Sequence, residues 1–409
     1  MKNKSIWHIL TIIACCGLTV SSIGLVFNCI GVFYSPISSE LGVGRGTVAL
    51  FATLCSLANG LCAPLFGRLL KRFPLRAILS VAILVAGLST MAISLTHSVW
   101  QLYAIGVIQG VALSFFSSVP VTVILTNWFE QKHGLATGVA FCFSGVGGAV
   151  FSPMFSMLIS AQGWRAAFVL LGAAILLFAL PGALLVLRLE PSERGLLPYG
   201  ATSVRGRAPQ PVEDAPRRDL RPSLPFVLLA ALAVIASFCT GLTQHLPGFA
   251  ESEGLSAATG AAMVSAAMLG NLSSKLIIGV VSDWAGPIRA CLAMLSACLL
   301  ALVLLLACPT GTLILALAAA YLFGFIYSVC SVGLPLVTRH VFGPERYAAV
   351  FPRVTVVASL GSSCAIAIIG FIYDFTHSYS AAFLCCAAFV AICCALLLAL
   401  ERLSGAPNR

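Results

Sequence analysis

The chain has 409 residues, 60% of them hydrophobic and only 9% charged, with a net charge of +10 and a mean hydropathy of +1.04. A water-soluble domain of that length needs far more polar surface to cover its core, so that class is excluded. The apolar runs are solid rather than alternating with polar residues, which excludes a membrane β-barrel as well.

Apolar runs of about 20 residues, enough for roughly 30 Å of hydrocarbon, recur from end to end. The first begins at Ile6, after Lys2 and Lys4, and extends to about Tyr34. It is too long for the apolar part of a secretion signal and has no clear cleavage site, so it is expected to be a retained span. Six spans are predicted in the first half, at 7–34, 47–66, 75–95, 99–126, 134–160 and 165–187. The second half holds six more, at 224–248, 258–282, 287–307, 311–337, 347–372 and 379–400. Between the halves, 188–223 is rich in Pro, Arg and acids and reads as a soluble, largely flexible connector. The expected organisation is a six-helix bundle over 1–187, a cytoplasmic connector over 188–223 and a second six-helix bundle over 224–409.

Lysine and arginine placement predicts orientation. Lys2 and Lys4, then Arg68, Lys71, Arg72 and Arg76, and seven arginines of the connector all fall on one side. The other side holds Arg45 and Arg165, with Glu251, Glu253 and Asp374. Both termini are therefore expected to be cytoplasmic, in the plasma (inner) membrane. The asymmetry accounts for the positive charge without a nucleic-acid partner.

The halves echo each other. Gly67 to Arg76 follows the second span and Gly279 to Arg289 follows the eighth, 212 residues later. Trp164-Arg165-Ala166-Ala167-Phe168 matches Tyr379-Ser380-Ala381-Ala382-Phe383 at an offset of 215. Two repeats of six helices predict a site at their interface near the midplane of the membrane.

One residue violates the pattern. Lys275 sits within a stretch, Ala257 to Ser282, that is otherwise apolar or small. A charge at mid-membrane costs about 2.5–3.5 kcal/mol on insertion scales, so its default reading is functional. It lies eight residues before Asp283, about 12 Å along a helix, which places it well inside the bilayer. Snorkelling to the interface and a structural pairing are the alternatives. By contrast, all thirteen acidic residues fall in loops, tails or span ends, so no mid-membrane carboxylate offers itself as a proton carrier. Arg353, seven residues beyond Arg346, has a depth resembling that of Lys275 and reads equally as a cavity cation or as part of the cytoplasmic mouth. His245, near the outer end of span 7, is the main titratable candidate, with a structural role as its alternative. Asn28, Gln109, Ser118, Tyr321 and Tyr327 are further polar groups for a cavity or for helix-to-helix hydrogen bonds. Gly145, Gly147 and Gly148 allow close helix approach, and Pro64, Pro120, Pro153, Pro335 and Pro352 can bend helices. The sixteen cysteines, including the vicinal pairs Cys15–Cys16, Cys385–Cys386 and Cys393–Cys394, lack zinc-site spacing and read as small apolar packing.

Over essentially its whole length the chain resembles the major facilitator superfamily. The loops after spans 2 and 8 are where that superfamily keeps a Gly-x-x-x-Asp-Arg-x-Gly-x-Arg pattern. The second copy keeps Gly279, Asp283, Gly286 and Arg289, with one extra residue before the arginine. The first keeps Gly67, Arg72 and Arg76, but Lys71 stands where the acid belongs and Pro74 where glycine does. The resemblance implies that the acid latches helix ends together, a role left to Asp283. Asn127-Trp128-Phe129 through Gly134-Leu135-Ala136-Thr137-Gly138, Ser144-Gly145-Val146-Gly147, and Gly31-Val32-Phe33-Tyr34-Ser35-Pro36 are similar to the monocarboxylate transporter and oxalate–formate antiporter branch. That branch often has a cation at the place of Lys275, bound to the substrate carboxylate. Its proton-coupled members can have an aspartate where Asn271 stands, and its oxalate–formate antiporters a lysine near Arg353.

The expectation is an all-α membrane protein of twelve transmembrane helices in two pseudo-symmetric bundles. It would move small organic anions, monocarboxylates first, by alternating access, as a monomer, with exchange favoured. A proton or a counter-anion would be the co-substrate, and no cofactor or metal is called for. Proton symport, efflux of amphipathic drugs and a sensor that binds without flux are the other readings. An enzyme is not expected, since no nucleophile–base set or phosphate loop has credible spacing.

Overall fold

The computed structural model describes residues 2–131, 133–200, 223–307 and 313–404. Among them the chain is almost entirely helical and has no strand. It divides into two compact units, Met1–Arg205 and Gly206–Arg409.

Among the described residues, eleven segments are long and apolar enough to cross a membrane. One of them, Leu135–Val186, has 52 residues, far more than one crossing needs. It is broken at Gly163, whose φ of 84° and ψ of 164° end one helix and start the next. Dividing it there gives twelve span-length helices, numbered in chain order: α1 Ile6–Asn28, α2 Arg45–Cys62, α3 Leu75–Leu95, α4 Val99–Trp128, α5 135–162, α6 164–186, α7 Leu224–Ser252, α8 Ala257–Ala285, α9 Pro287–Leu306, α10 Leu313–Gly343, α11 Val350–Thr376 and α12 Ser380–Leu403. Gly286 (φ 89°, ψ 159°) and Gly343 (φ 72°, ψ 167°) turn the chain between α8 and α9 and between α10 and α11 with the same backbone geometry. A side chain at that positive φ is strained, so glycine alone makes these tight reversals without cost.

Three of the five prolines singled out in the sequence coincide with interruptions. The helix Arg45–Cys62 stops before Pro64, α4 opens at Ser114–Ser117 just before Pro120, and α10 widens to a π-helix over Val329–Gly333 before Pro335. Proline removes an N–H and crowds the carbonyl four residues back, so the preceding turn gives way. Pro153 and Pro352 remain inside continuous helix.

Within each unit the helices pair in the same order. In the first, α1 packs on α5 and α6, α2 on α4, and α3 on α4 and α6; in the second, α7 packs on α11 and α12, α8 on α10, and α9 on α10 and α12. The closest approaches match as well. A Cβ added at Gly110 of α4 would strike the carbonyl oxygen of Cys55 on α2, and one added at Gly324 of α10 would strike that of Ala267 on α8. Small residues bring membrane helices together in this way when no hydrophobic drive separates them from lipid. The described cysteines are free and mostly buried, consistent with packing.

The start of the connector departs from the sequence expectation. Residues 188–200 are not a free strand of chain; they fold against the first unit. Pro191–Arg194 form a short 3-10 turn closed by a capping box between Glu190 and Glu193. The Tyr199 N–H donates to the Trp128 carbonyl at 2.8 Å, and the Trp128 indole N–H donates to the Arg188 carbonyl at 2.9 Å. His8 packs its ring edge-on against Trp128, Phe129 and Tyr199, and the Arg194 guanidinium lies 3.4 Å over the Trp7 ring. The rest of the connector, 201–222, lies outside the described residues.

Candidate functional site

The helix α8 begins cleanly because Ser256 caps it, accepting the Thr259 N–H at 3.1 Å. Its 29 residues present two different sides. Val264, Met268, Asn271, Ser274 and Ile278 are buried, whereas Leu269, Leu276 and Val280 form an exposed apolar stripe. Lys275 follows Met268 by seven residues and Asn271 by four, so it belongs to the flank of the packed side and not to the exposed stripe. It is half-buried. The chain enters the turn at Gly286 eleven residues later, about 16 Å along the helix.

Close to Lys275 in the chain, α8 carries three polar residues, Asn271, Ser273 and Ser274. Asn271 is buried, and its Oδ1 has no hydrogen-bond partner while its Nδ2 faces the Met268 sulfur at 4.0 Å. A buried carbonyl oxygen left unsatisfied costs about 1–3 kcal/mol, so this acceptor is an unusual feature of the packed face. The Ser274 hydroxyl donates to the Asn271 carbonyl at 3.1 Å. Ser273 shares a 2.8 Å hydrogen bond with the Tyr321 hydroxyl, which ties α8 to α10. Neither serine was singled out from the sequence, although Ser273-Ser274 directly precede the lysine.

The remaining candidates separate into two kinds. Several are held in helix-to-helix hydrogen bonds. Tyr327 reaches the Thr240 carbonyl of α7 at 3.3 Å, and His245 Nε2 meets the Ile366 carbonyl of α11 at 2.8 Å. Asn28, in the first unit, donates to the Ser144 carbonyl of α5 at 2.9 Å, and Gln109 donates to the Thr90 hydroxyl at 2.6 Å. Ser118 opens the second segment of α4. Arg353 is of the other kind. It is exposed on α11, ten residues beyond the Gly343 turn, on the side that continues through Val356 and Leu360. It lies ten residues from its turn, and Lys275 lies eleven from Gly286.

The loops after α2 and α8 differ in charge. Gly67, Arg68, Lys71 and Arg72 are exposed, and Arg76 is half-buried with its Nε lacking a partner. After α8, Gly279 and Gly286 are half-buried, Asp283 is exposed and makes no ion pair among the described residues, and Arg289 stands 3.7 Å from Glu401. A further charged site was not foreseen. Glu40, beyond the end of α1, accepts from the Trp164 indole N–H at 2.5 Å and from Arg165, which also donates to the Thr96 carbonyl at 3.0 Å. Arg165 first, and then Trp164, hold the Glu40 carboxyl below the usual carboxylate range.

The sequence profile of the Major Facilitator Superfamily matches residues 16–352. The chain belongs to that superfamily. Within it, the chain is 23% identical to monocarboxylate transporter 12 of Rattus norvegicus over 97% of this chain and 86% of that protein. It is 26% identical to monocarboxylate transporter 13 of Bos taurus over 89% of this chain and 83% of that one. Among solved structures, a bacterial homologue of the human lysosomal transporter Spinster matches with a TM-score of 0.71 and 16% identity, covering 97% of each chain. This chain is therefore a multi-pass major facilitator transporter related to the monocarboxylate transporters, and neither its relatives nor its fold are those of enzymes.

Proposed function

We propose that the chain carries small organic anions, monocarboxylates first, by alternating access, with anion exchange favoured over proton coupling. The observation that carries this reading is Lys275, a half-buried cation in the middle of an apolar span, on the flank of α8 that also holds Asn271. An ammonium has three donors and no acceptor, which suits a carboxylate, and its hydrogen bonds to a charged acceptor are the stronger kind. A bound anion offsets the charge and lowers the cost of closing the site away from water. Arg353, Tyr321 and Tyr327 are proposed to contribute to the same anion site, with Arg353 allowing a second carboxylate. The names of the relatives, monocarboxylate transporters, support the substrate class.

Exchange is favoured because the thirteen acidic residues lie in loops, tails or span ends, leaving no mid-span carboxylate to carry a proton. His245, whose Nε2 is engaged by the Ile366 carbonyl, is a poor replacement. Asn28 and the loop residues Gly67, Arg72, Arg76, Gly279, Asp283, Gly286 and Arg289 are assigned to the conformational cycle and not to substrate chemistry. The working unit is one chain in the plasma (inner) membrane, both termini cytoplasmic, as the basic loops suggest.

Counterflow in proteoliposomes with labelled lactate, pyruvate, formate and oxalate tests the proposal. Uptake of at least one of these against the same unlabelled anion, unaffected by an imposed pH gradient, is expected. Stimulation by the gradient would move the reading to proton symport, and no uptake of any of them would remove the substrate class.

A further inference from the structure

The loop after α2 carries, beside the Arg72 and Arg76 assigned to the conformational cycle, two cations that the transport reading does not use, Arg68 and Lys71. Between Pro64 and Arg76 the chain forms one short helix, Leu65–Leu70, anchored by the buried ring of Phe66. Most residues around that anchor are exposed, although Leu69 and Leu70 are half-buried. Arg68, Lys71 and Arg72 are exposed and form no ion pair among the described residues. With Leu65 and Leu69 they line a depression of about 390 Å³, and its lining among the described residues holds no acid. Leu61, Leu65 and Phe73 are exposed beside the cations. Arg194, in the folded start of the connector, adds a further positive charge near Arg76; burial and then Arg76 push its guanidinium below its ordinary value. The charge of Glu193 partly offsets that shift, and Glu193 also stands 4.0 Å from Arg188.

The repeat makes the cluster conspicuous. The loop after α8 has Val280 and Asp283 where this one has Arg68 and Lys71, and its Arg289 is close to Glu401. The first loop therefore concentrates cations where the second has a neutral residue and an acid, at the junction of two spans with the membrane surface. Exposed apolar side chains next to unpaired cations match an amphiphile whose head is an anion. Basic residues immediately beside a transmembrane helix are attracted to anionic headgroups, and arginine forks fit phosphate oxygens in pairs.

We propose that Arg68, Lys71 and Arg72 form a binding site for the phosphate of an anionic phospholipid, whose acyl chains lie against Leu61, Leu65 and Phe73. The lipid anion then takes the position relative to Arg72 and Arg76 that an acidic side chain would hold if Lys71 were replaced by one.

The test uses the full-length protein in mild detergent, titrated with phosphatidylglycerol, with phosphatidylcholine, or with inorganic phosphate, and bound molecules are counted by native mass spectrometry. Wild type is expected to retain phosphatidylglycerol in preference to phosphatidylcholine. Each basic residue is expected to contribute roughly fivefold, so the Arg68→Gln/Lys71→Gln/Arg72→Gln variant should bind about 100-fold more weakly. Lys71→Glu should lose tenfold or more and Lys71→Arg should bind as wild type does. Lys71 is exposed, so these single variants carry the test if the triple variant does not fold. Equal retention of phosphatidylglycerol by wild type and Lys71→Glu would overturn the proposal. So would equal retention of the two lipids by wild type, or displacement of phosphatidylglycerol by inorganic phosphate at equal concentration.

Discussion

The two units pair their six helices in the same order, yet they place their charges oppositely. At the offset of 212 residues, Cys55 corresponds to Ala267, and both supply the carbonyl against which a glycine of the partner helix packs, Gly110 in one unit and Gly324 in the other. Asn59 corresponds to Asn271, so the polar residue is kept in both. One turn on, Lys275 corresponds to Ala63, and after the helix Lys71 corresponds to Asp283. The second unit thus carries its cation inside a span and an acid in the loop, while the first keeps its span neutral and its loop basic. Backbone packing is what the repeat conserves, and charge is where the halves have specialised.

The largest test of this contrast exchanges the charge between halves. Lys275→Ala is expected to lower carboxylate counterflow about 10- to 100-fold, the range for losing one hydrogen bond to a charged group. Ala63→Lys should give no compensating transport in that background. It should also reduce the yield of folded protein, since a lysine in mid-span costs about 2.5–3.5 kcal/mol. Counterflow that survived Lys275→Ala would remove the functional asymmetry.

Packing should respond symmetrically. Gly110→Leu and Gly324→Leu each drive a side chain into a carbonyl of the neighbouring helix, at an expected cost of at least about 1–3 kcal/mol. Thermal unfolding of the detergent-solubilised protein should show the two variants impaired alike. A tolerant Gly324→Leu would break the correspondence between the α2–α4 and α8–α10 contacts.

His245→Gln probes a third point, whether the second unit also holds a proton carrier. Its expected effect is about 1 kcal/mol of stability from the bond to Ile366, with the pH profile of counterflow unchanged. A flattened pH profile would instead assign the proton to His245.

The smallest expected effect lies at the outer corners. In the first unit Phe33 packs 4.3 Å from Phe168, and in the second Phe249 packs 4.8 Å from Phe383, so each corner holds an aromatic contact. The first corner adds the Glu40–Arg165–Trp164 cluster, and the second stacks Tyr373 on Tyr379 at 4.4 Å. The folded-state pKa of Glu40 is depressed, so its contribution is present at neutral pH and is lost as pH falls through that folded value. Both partners are partly exposed, so Glu40→Gln should cost at most about 1 kcal/mol and abolish that part of the acid sensitivity. Replacing Tyr379 by Phe should leave the pH dependence of unfolding unchanged.

Much of the architecture was legible in the residues. Span positions followed from apolar run length, and the broken segments followed from Pro64, Pro120 and Pro335. The flank of α8 that holds Lys275 and Asn271 followed from their four-residue spacing. The start of the connector read as free chain because its composition is polar and proline-rich, whereas 188–200 is held by tertiary partners, His8 and Trp128, that composition does not reveal. Asn28, Gln109 and Tyr327 look alike in sequence as candidates for a cavity. Their actual bonds link residues 116, 19 and 87 positions apart.

By itself, then, the sequence determined that this is a membrane transporter of two repeated halves with a cation inside its eighth span. Those properties depend on the transfer of each segment from water to lipid, which is local and close to additive along the chain. Only the tertiary structure decided which buried polar groups are satisfied by a neighbouring helix, and that the Asn271 Oδ1 beside Lys275 is left without such a partner. Hydrogen bonds between helices depend on which helices become neighbours and at what distance, and no property of a single span contains that information.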